Sequence, residues 1–197
     1  ADESNARTGY ERWRLTGNAR LVDPNVISFF LDEALAVTAP NAQEKLPLQV
    51  HTGLVGADVD LRAGDPAVLR TWLNRPAHRG VPVVLLHCYP YLREASWLAS
   101  LYPDVYLDLS MAMQWVGSQR GPAMISEILG VAPVSKLLFA TDGFRVPELF
   151  YLGALWWRDS LAQFLAELVG HRYIEERAAL DYAELVLRGN AHRAYRT

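Results

Sequence analysis

His51, His87 and Asp142 each close a short apolar run, and each is a side chain that can bind a metal or move a proton. The runs are Pro47-Leu48-Gln49-Val50-His51, Val83-Val84-Leu85-Leu86-His87 and Leu137-Leu138-Phe139-Ala140-Thr141-Asp142. Buried parallel strands read as continuous β-rich apolar stretches, and a row of them sets its last residues along one rim. A catalytic zinc-type centre needs imidazole or carboxylate ligands and one open position where bound water is acidified. His51 and Asp142 suit the ligand roles, and Asp142 can also accept the water's proton. His87 suits a neighbouring role, polarising a substrate carbonyl or protonating a leaving group. A single histidine at a strand end is most simply a satisfied structural group. Three such positions on three strands point to a site.

Several residues nearby could serve that site. Thr52-Gly53 and Gly143 allow tight backbone turns beside His51 and Asp142. Tyr89, Tyr91 and Arg93 follow His87 on a loop expected to cover a pocket and bind substrate, where an arginine can hold a carboxylate by a bidentate pair or simply be solvated. Glu148 lies within two turns of Asp142 and fits either substrate-side support or a favourable helix start, the latter being the simpler reading. Asp108 also ends a strand-like run, Val105-Tyr106-Leu107-Asp108-Leu109, but no glycine turn marks it. Cys88 follows His87 directly; successive strand side chains face opposite ways, so the two are not a nucleophile–base pair and Cys88 reads as a buried thiol. His78, His171 and His192 read as surface or packing residues.

The elements that would position these residues alternate. Asp23-Pro24 starts a helix with Ile27, Phe30, Leu31, Ala34 and Leu35 at helical spacing, ending near Ala39-Pro40. Asp65-Pro66 repeats that signal after the strand closing at His51, with Leu69, Trp72 and Leu73 as its buried face. Leu92, Ala95, Leu98 and Ala99 define a helix after His87, and Pro122 opens another with Ile125, Ile128 and Leu129. A long tryptophan-rich helix starts near Pro147, and closing helical segments span about 175–187 and Asn190-Ala191-His192. Strand then helix, repeated, is parallel α/β architecture. With no glycine-rich phosphate loop after any strand and active residues spread over several strand ends, a (β/α)8 TIM-type barrel is expected rather than a nucleotide-binding open sheet. Only four strands of the eight are evident, so residues 1–197 read as one domain forming the C-terminal part of a longer barrel.

Composition narrows the classes. Among the 197 residues, 51% are apolar, enough for a sizeable core, and the formal charge of -3 provides no basic stripe for nucleic acid. No apolar run approaches the roughly 20 residues that cross a bilayer, so neither a membrane nor a nucleic acid is an expected partner, and a cytoplasmic location is expected. Cys88 is the only cysteine, which excludes an internal disulfide and a cysteine-rich zinc site. The apolar Phe150-Tyr151-Leu152 and Trp156-Trp157 surface suits a homodimer.

Taken together, His51-Thr52-Gly53, Asp65-Pro66, Leu85-Leu86-His87-Cys88-Tyr89-Pro90-Tyr91 with Arg93-Glu94-Ala95, and Thr141-Asp142-Gly143 with Pro147-Glu148 resemble the metal-dependent amidohydrolase superfamily. More narrowly, they look like the amidohydrolase domain of FluG and nodulin-like proteins, often fused to a glutamine synthetase. The resemblance runs from Arg7-Thr8-Gly9, similar to the end of a fourth barrel strand, to Gly189-Asn190-Ala191. It implies a TIM-type barrel whose fifth, sixth and eighth strands end in the ligand His51, the catalytic His87 and the ligand and proton acceptor Asp142. It further implies a divalent metal, zinc first and manganese or iron as alternatives, and a small-molecule substrate. The family's first strand carries a His-x-His pair of ligands, and no such pair occurs in this sequence. The expected activity is hydrolysis of an amide-like C–N bond by metal-activated water. Its rivals are a metal-dependent decarboxylase of the same superfamily and a catalytically inactive regulatory or binding domain. The missing ligands would come from an absent N-terminal half-barrel or another chain.

Overall fold

The computed structural model describes residues 2–38, 46–54, 56, 59–117 and 119–195. It divides into two compact units, Ala1–Leu46 and Pro47–Thr197.

In the first unit, helices α1 (Glu3–Thr16) and α2 (Pro24–Thr38) pack on one another. Asp2 caps α1 by accepting the Ser4 amide at 2.9 Å, and Gly17, at φ 64°, ends it in the left-handed conformation that glycine adopts without strain. Arg7-Thr8-Gly9 therefore lies inside a helix and does not end a strand. The local code explains the correction: an aspartate cap, Glu3 in the first turn and an Arg7–Glu3 pair at 3.1 Å all favour helix here. Asp23 caps α2 through the Asn25 amide at 2.9 Å, as its Asp-Pro start predicts. The predicted end near Ala39-Pro40 lies outside the described residues. Val26 of α2 is fully buried, whereas Ile27 and Phe30, expected on the inner face, are exposed.

In the second unit, strands β1 (Leu48–His51), β2 (Val83–Leu86), β3 (Val105–Asp108) and β4 (Leu137–Leu138) form one parallel sheet in that order. His51 is opposite Leu86, and Asp108 is opposite Leu138. The centre of the sheet is buried on both faces: Val83, Val84, Leu85, Leu107 and Leu137 are all enclosed, as continuous apolar strands require. After β1 a 3-10 turn at Pro66–Leu69, capped by Asp65 on the Ala67 amide at 2.8 Å, runs into the short helix α3 (Arg70–Leu73). Its Trp72 and Leu73 are half-buried rather than core.

Helix α4 (Leu92–Leu101) buries Leu92, Ala95, Leu98 and Ala99, the stripe its spacing predicts. A fully enclosed leucine such as Leu98 contributes about 2 kcal/mol. Helix α5 (Ser110–Val116) starts directly after β3 and has no counterpart in the sequence reading. Helix α6 (Gly121–Leu129) buries Ile125 and Ile128. Helix α7 (Pro147–Gly170) encloses Trp157, which meets Phe139 edge-on at 5.8 Å. Of the surface expected to pair subunits, Trp157 is thus core, while Phe150 and Tyr151 are exposed. Helix α8 (Glu176–Glu184), a π-helical segment at Leu185–Gly189 and α9 (Asn190–Tyr195) close the chain. Buried Asn190 fastens α9 to the sheet by donating to the carbonyls of Val134 and Leu137, both at 2.8 Å.

Strand β4 is shorter than its apolar run. The Phe139 amide turns away from the sheet and donates to the Val186 carbonyl at 3.1 Å, so Asp142 lies on a segment beyond the strand. His87 likewise sits one residue past β2. Four parallel strands with intervening helices are half the complement of a (β/α)8 barrel. Among the described residues, no helix is long and apolar enough to cross a membrane.

Candidate active site

His51 ends β1 and is exposed, while His87 is buried behind it, their ring centroids 5.2 Å apart. The two reach this proximity because the chain leaves β2 through consecutive non-glycine residues in the left-handed region, His87 at φ 69° and Cys88 at φ 60°. Each such residue costs about 1–2 kcal/mol, which persists only where the surroundings over-determine it. The surroundings do so here. Cys88 donates its amide to the Leu86 carbonyl and Tyr89 donates to the His87 carbonyl, each at 2.8 Å, while the His87 amide donates to Asp108 Oδ1 at 2.9 Å. Asp142 is also left-handed, at φ 50°, and Gln114 of α5 holds the preceding Thr141 carbonyl through its side-chain amide.

Behind His87 lies a buried polar chain. The His87 Nδ1 is 2.7 Å from Ser110 Oγ, and Ser110 Oγ donates to Asp108 Oδ1 at 2.7 Å. The Ser110 amide reaches the same oxygen at 2.9 Å. Burial pushes the Asp108 carboxyl above its ordinary value, opposed by the Ser110 hydroxyl, by the amides of His87 and Ser110 and by the His87 ring. Burial likewise holds the His87 imidazole below its ordinary value, against the upward pull of the charges on Asp108 and Asp142; His51 adds to the lowering. His87 is therefore biased toward the neutral form. Cys88 is fully enclosed, and burial pushes its thiol far up, in keeping with a packing role.

The loops after β1 and β2 are hooked together. Thr52 is buried and its hydroxyl donates to the Leu86 carbonyl at 2.8 Å. Gly53 has φ 64°, and a Cβ there would lie 2.1 Å from the Tyr89 carbonyl oxygen, so a side chain is excluded. Gly143 fits against the Phe150 ring, whose nearest atom a Cβ would approach to 2.6 Å.

The structure thus gathers His51 and His87, with Asp142 close enough for its charge to act on His87. The residues expected to bind substrate are placed differently. Tyr91 donates its hydroxyl to the Leu61 carbonyl at 2.9 Å. Arg93 is exposed on α4 and its Nε pairs with Glu127 of α6 at 2.7 Å. Tyr89 is half-buried, with its carbonyl receiving the Leu54 amide at 2.7 Å, and Glu148 is exposed in the first turn of α7, where its charge favours the helix start. In the sequence Asp108 is a strand-end residue without a glycine turn to mark it, and Ser110 carries no mark of its own. The available signal was an Asp-x-Ser at the end of an apolar run, a pattern that caps a following helix and can hold a neighbouring loop.

A family model described as amidohydrolase matches residues 19–197. The chain belongs to the amidohydrolase family. Protein fluG of Emericella nidulans is 37% identical over 164 residues, which cover 83% of this chain and 18% of fluG. A crystal structure from Lactobacillus casei ATCC 334, of a protein with an inferred assignment as a metal-dependent hydrolase, is 28% identical with a TM-score of 0.88. The match covers 100% of this chain and 50% of that one. Uronate isomerase from Thermotoga maritima, 17% identical with a TM-score of 0.72 over 99% of this chain and 46% of the isomerase, shares the fold. The chain therefore spans less than a fifth of fluG and about half of each of the two solved structures.

Amidohydrolase membership implies a divalent metal. Among the described residues, no three His, Cys, Asp or Glu side chains come together to hold one. His51 and Asp142 offer two donors, and His87 Nδ1 is committed to Ser110. A catalytic zinc takes three protein ligands and a water. The described donors do not by themselves complete such a site.

Proposed function

We propose that this chain carries the acid–base side of a hydrolase centre that cleaves an amide-like C–N bond with water. The observation that carries the reading is the His87–Ser110–Asp108 chain, which anchors a neutral-biased imidazole 5.2 Å from the His51 ring and within the field of Asp142. In the hydrolysis, water adds to the carbonyl carbon, the C–N bond breaks, and the proton taken from water is delivered to the leaving nitrogen. His87 handles that proton, and the Asp142 carboxylate stabilises the imidazolium formed on the way. His51 and Asp142 are the chain's candidate metal ligands, with zinc the first choice and manganese or iron(II) suited to the same nitrogen and oxygen donors. Among the described residues no third donor joins them.

Arg93, which could hold a substrate carboxylate in a hydrolase or a decarboxylase alike, is exposed and pairs with Glu127, so it does not separate the two reactions. A second reading, a regulatory or binding domain without turnover, is supported by the incomplete donor set. The test is turnover of a panel of simple linear and cyclic amides by the natural polypeptide carrying this chain, with zinc, manganese or iron(II) supplied in turn. Metal-dependent amide cleavage lost in His87→Asn supports the hydrolase. Cleavage unchanged by that substitution overturns the role of His87, and a folded polypeptide with neither turnover nor metal uptake favours the regulatory reading.

A further inference from the structure

Asp108 Oδ1 has three donors pointed at it: the His87 amide at 2.9 Å, the Ser110 amide at 2.9 Å and the Ser110 hydroxyl at 2.7 Å. The two amides are donors whatever the protonation state, so Oδ1 is an acceptor, and any proton that Asp108 takes up belongs on Oδ2. The Ser110 hydroxyl hydrogen must then point at Oδ1. A hydroxyl has one hydrogen, so toward His87 the Ser110 oxygen can only accept. The partner at 2.7 Å is His87 Nδ1, which must therefore carry a hydrogen.

We infer that Asp108 and Ser110 are positioning residues that hold neutral His87 as the Nδ1–H tautomer, leaving Nε2 as the bare nitrogen that accepts a proton or binds a cation. Ser110 transmits the constraint between carboxylate and ring. A direct carboxylate–imidazole contact would place a full negative charge against the ring; an intervening hydroxyl fixes the ring's orientation while keeping that charge one group away. The arrangement also accounts for the left-handed backbone at His87, since the same Asp108 oxygen that orients the serine takes the His87 amide. One carboxylate oxygen thus sets both the backbone and the tautomer. The tautomer stands or falls separately from the proposed hydrolysis.

The test is a long-range 1H–15N correlation spectrum of the histidine-labelled chain at a pH above the ordinary imidazole range, with His87 assigned by its loss in His87→Asn. In the wild-type chain the expected pattern is a protonated Nδ1 and an unprotonated Nε2. Ser110→Ala shifts the ring signals toward the Nε2–H form, and Ser110→Thr, which keeps the hydroxyl, restores them. An Nε2–H pattern in the wild-type chain overturns the inference without any variant having to fold, as does a pattern unchanged in a folded Ser110→Ala chain. An Nδ1–H pattern in a protein without amide turnover keeps the inference and removes the hydrolase reading.

Discussion

The buried carboxylate of Asp108 accepts the backbone amide of His87 at 2.9 Å, joining the end of β3 to the residue just past β2. The same oxygen also takes the Ser110 amide and hydroxyl. Asp108→Ala should therefore strand three donors in a dry environment and lower stability by about 3 kcal/mol or more, at roughly 1–3 kcal/mol for each unsatisfied group. Urea unfolding followed by tryptophan fluorescence checks this. Asp108→Asn retains an acceptor oxygen and should cost less than the alanine variant; equal losses would show that the three hydrogen bonds are not what stabilises this corner.

Gly53→Ala should destabilise by about 3 kcal/mol, since it combines a left-handed backbone with a methyl group 2.1 Å from the Tyr89 carbonyl oxygen. Gly17→Ala is the control: it has a similar φ of 64° but open space around it, so it should cost only about 1 kcal/mol. The difference between the two denaturation midpoints isolates the clash from the backbone strain.

Cys88 should resist iodoacetamide in the native chain, because burial removes it from solvent and raises its thiol far above the range in which thiolate forms. Labelling followed by intact-mass measurement should show no adduct under native conditions and one adduct in guanidinium. Fast native labelling would mean that the loop after β2 opens readily.

Acid should weaken the fold through His87. Its imidazole titrates below the ordinary value of 6.5 in the folded chain, so as pH falls beneath 6.5 the unfolded chain takes up a proton that the folded chain refuses. Stability is full above that value and declines as pH drops toward the folded value, with a slope of at most about 1.4 kcal/mol per pH unit for one proton. Asp108 acts with the opposite sign: its carboxyl is raised, so its contribution is full below 3.8 and is lost as pH rises through the folded value. Comparing the pH dependence of urea midpoints in the wild-type chain and His87→Asn separates the two, and an unchanged acid slope in the variant would assign it elsewhere.

Metal uptake by the isolated chain should be weak, because the described residues supply two candidate donors where a catalytic zinc takes three. Titration calorimetry with zinc should give no tight stoichiometric site, and His51→Ala should remove what binding there is. A tight single site that survives His51→Ala would place the metal elsewhere in the protein.

Much of this architecture is local information and can be read from the sequence. Asp65-Pro66, the Leu92-Ala95-Leu98-Ala99 stripe and the helix from Pro147 depend on caps, spacing and proline, which act within a few residues. The apolar runs ending near His87 and Asp108 likewise identify parallel strands covered on both faces, whereas β1, at the edge of the sheet, alternates half-buried and exposed residues up to His51. What the sequence could not decide are relations between residues far apart in the chain. That Asp142 sits beyond a two-residue strand follows from the Phe139 amide turning to Val186. That Arg93 meets Glu127 follows from α4 lying beside α6. Ser110 is unremarkable as a residue type, and only the pairing of β2 with β3 brings it and Asp108 behind His87. A histidine at a strand end marks where chemistry is available, while its proton's position is set by partners 21 and 23 residues away, which folding alone brings into hydrogen-bond range.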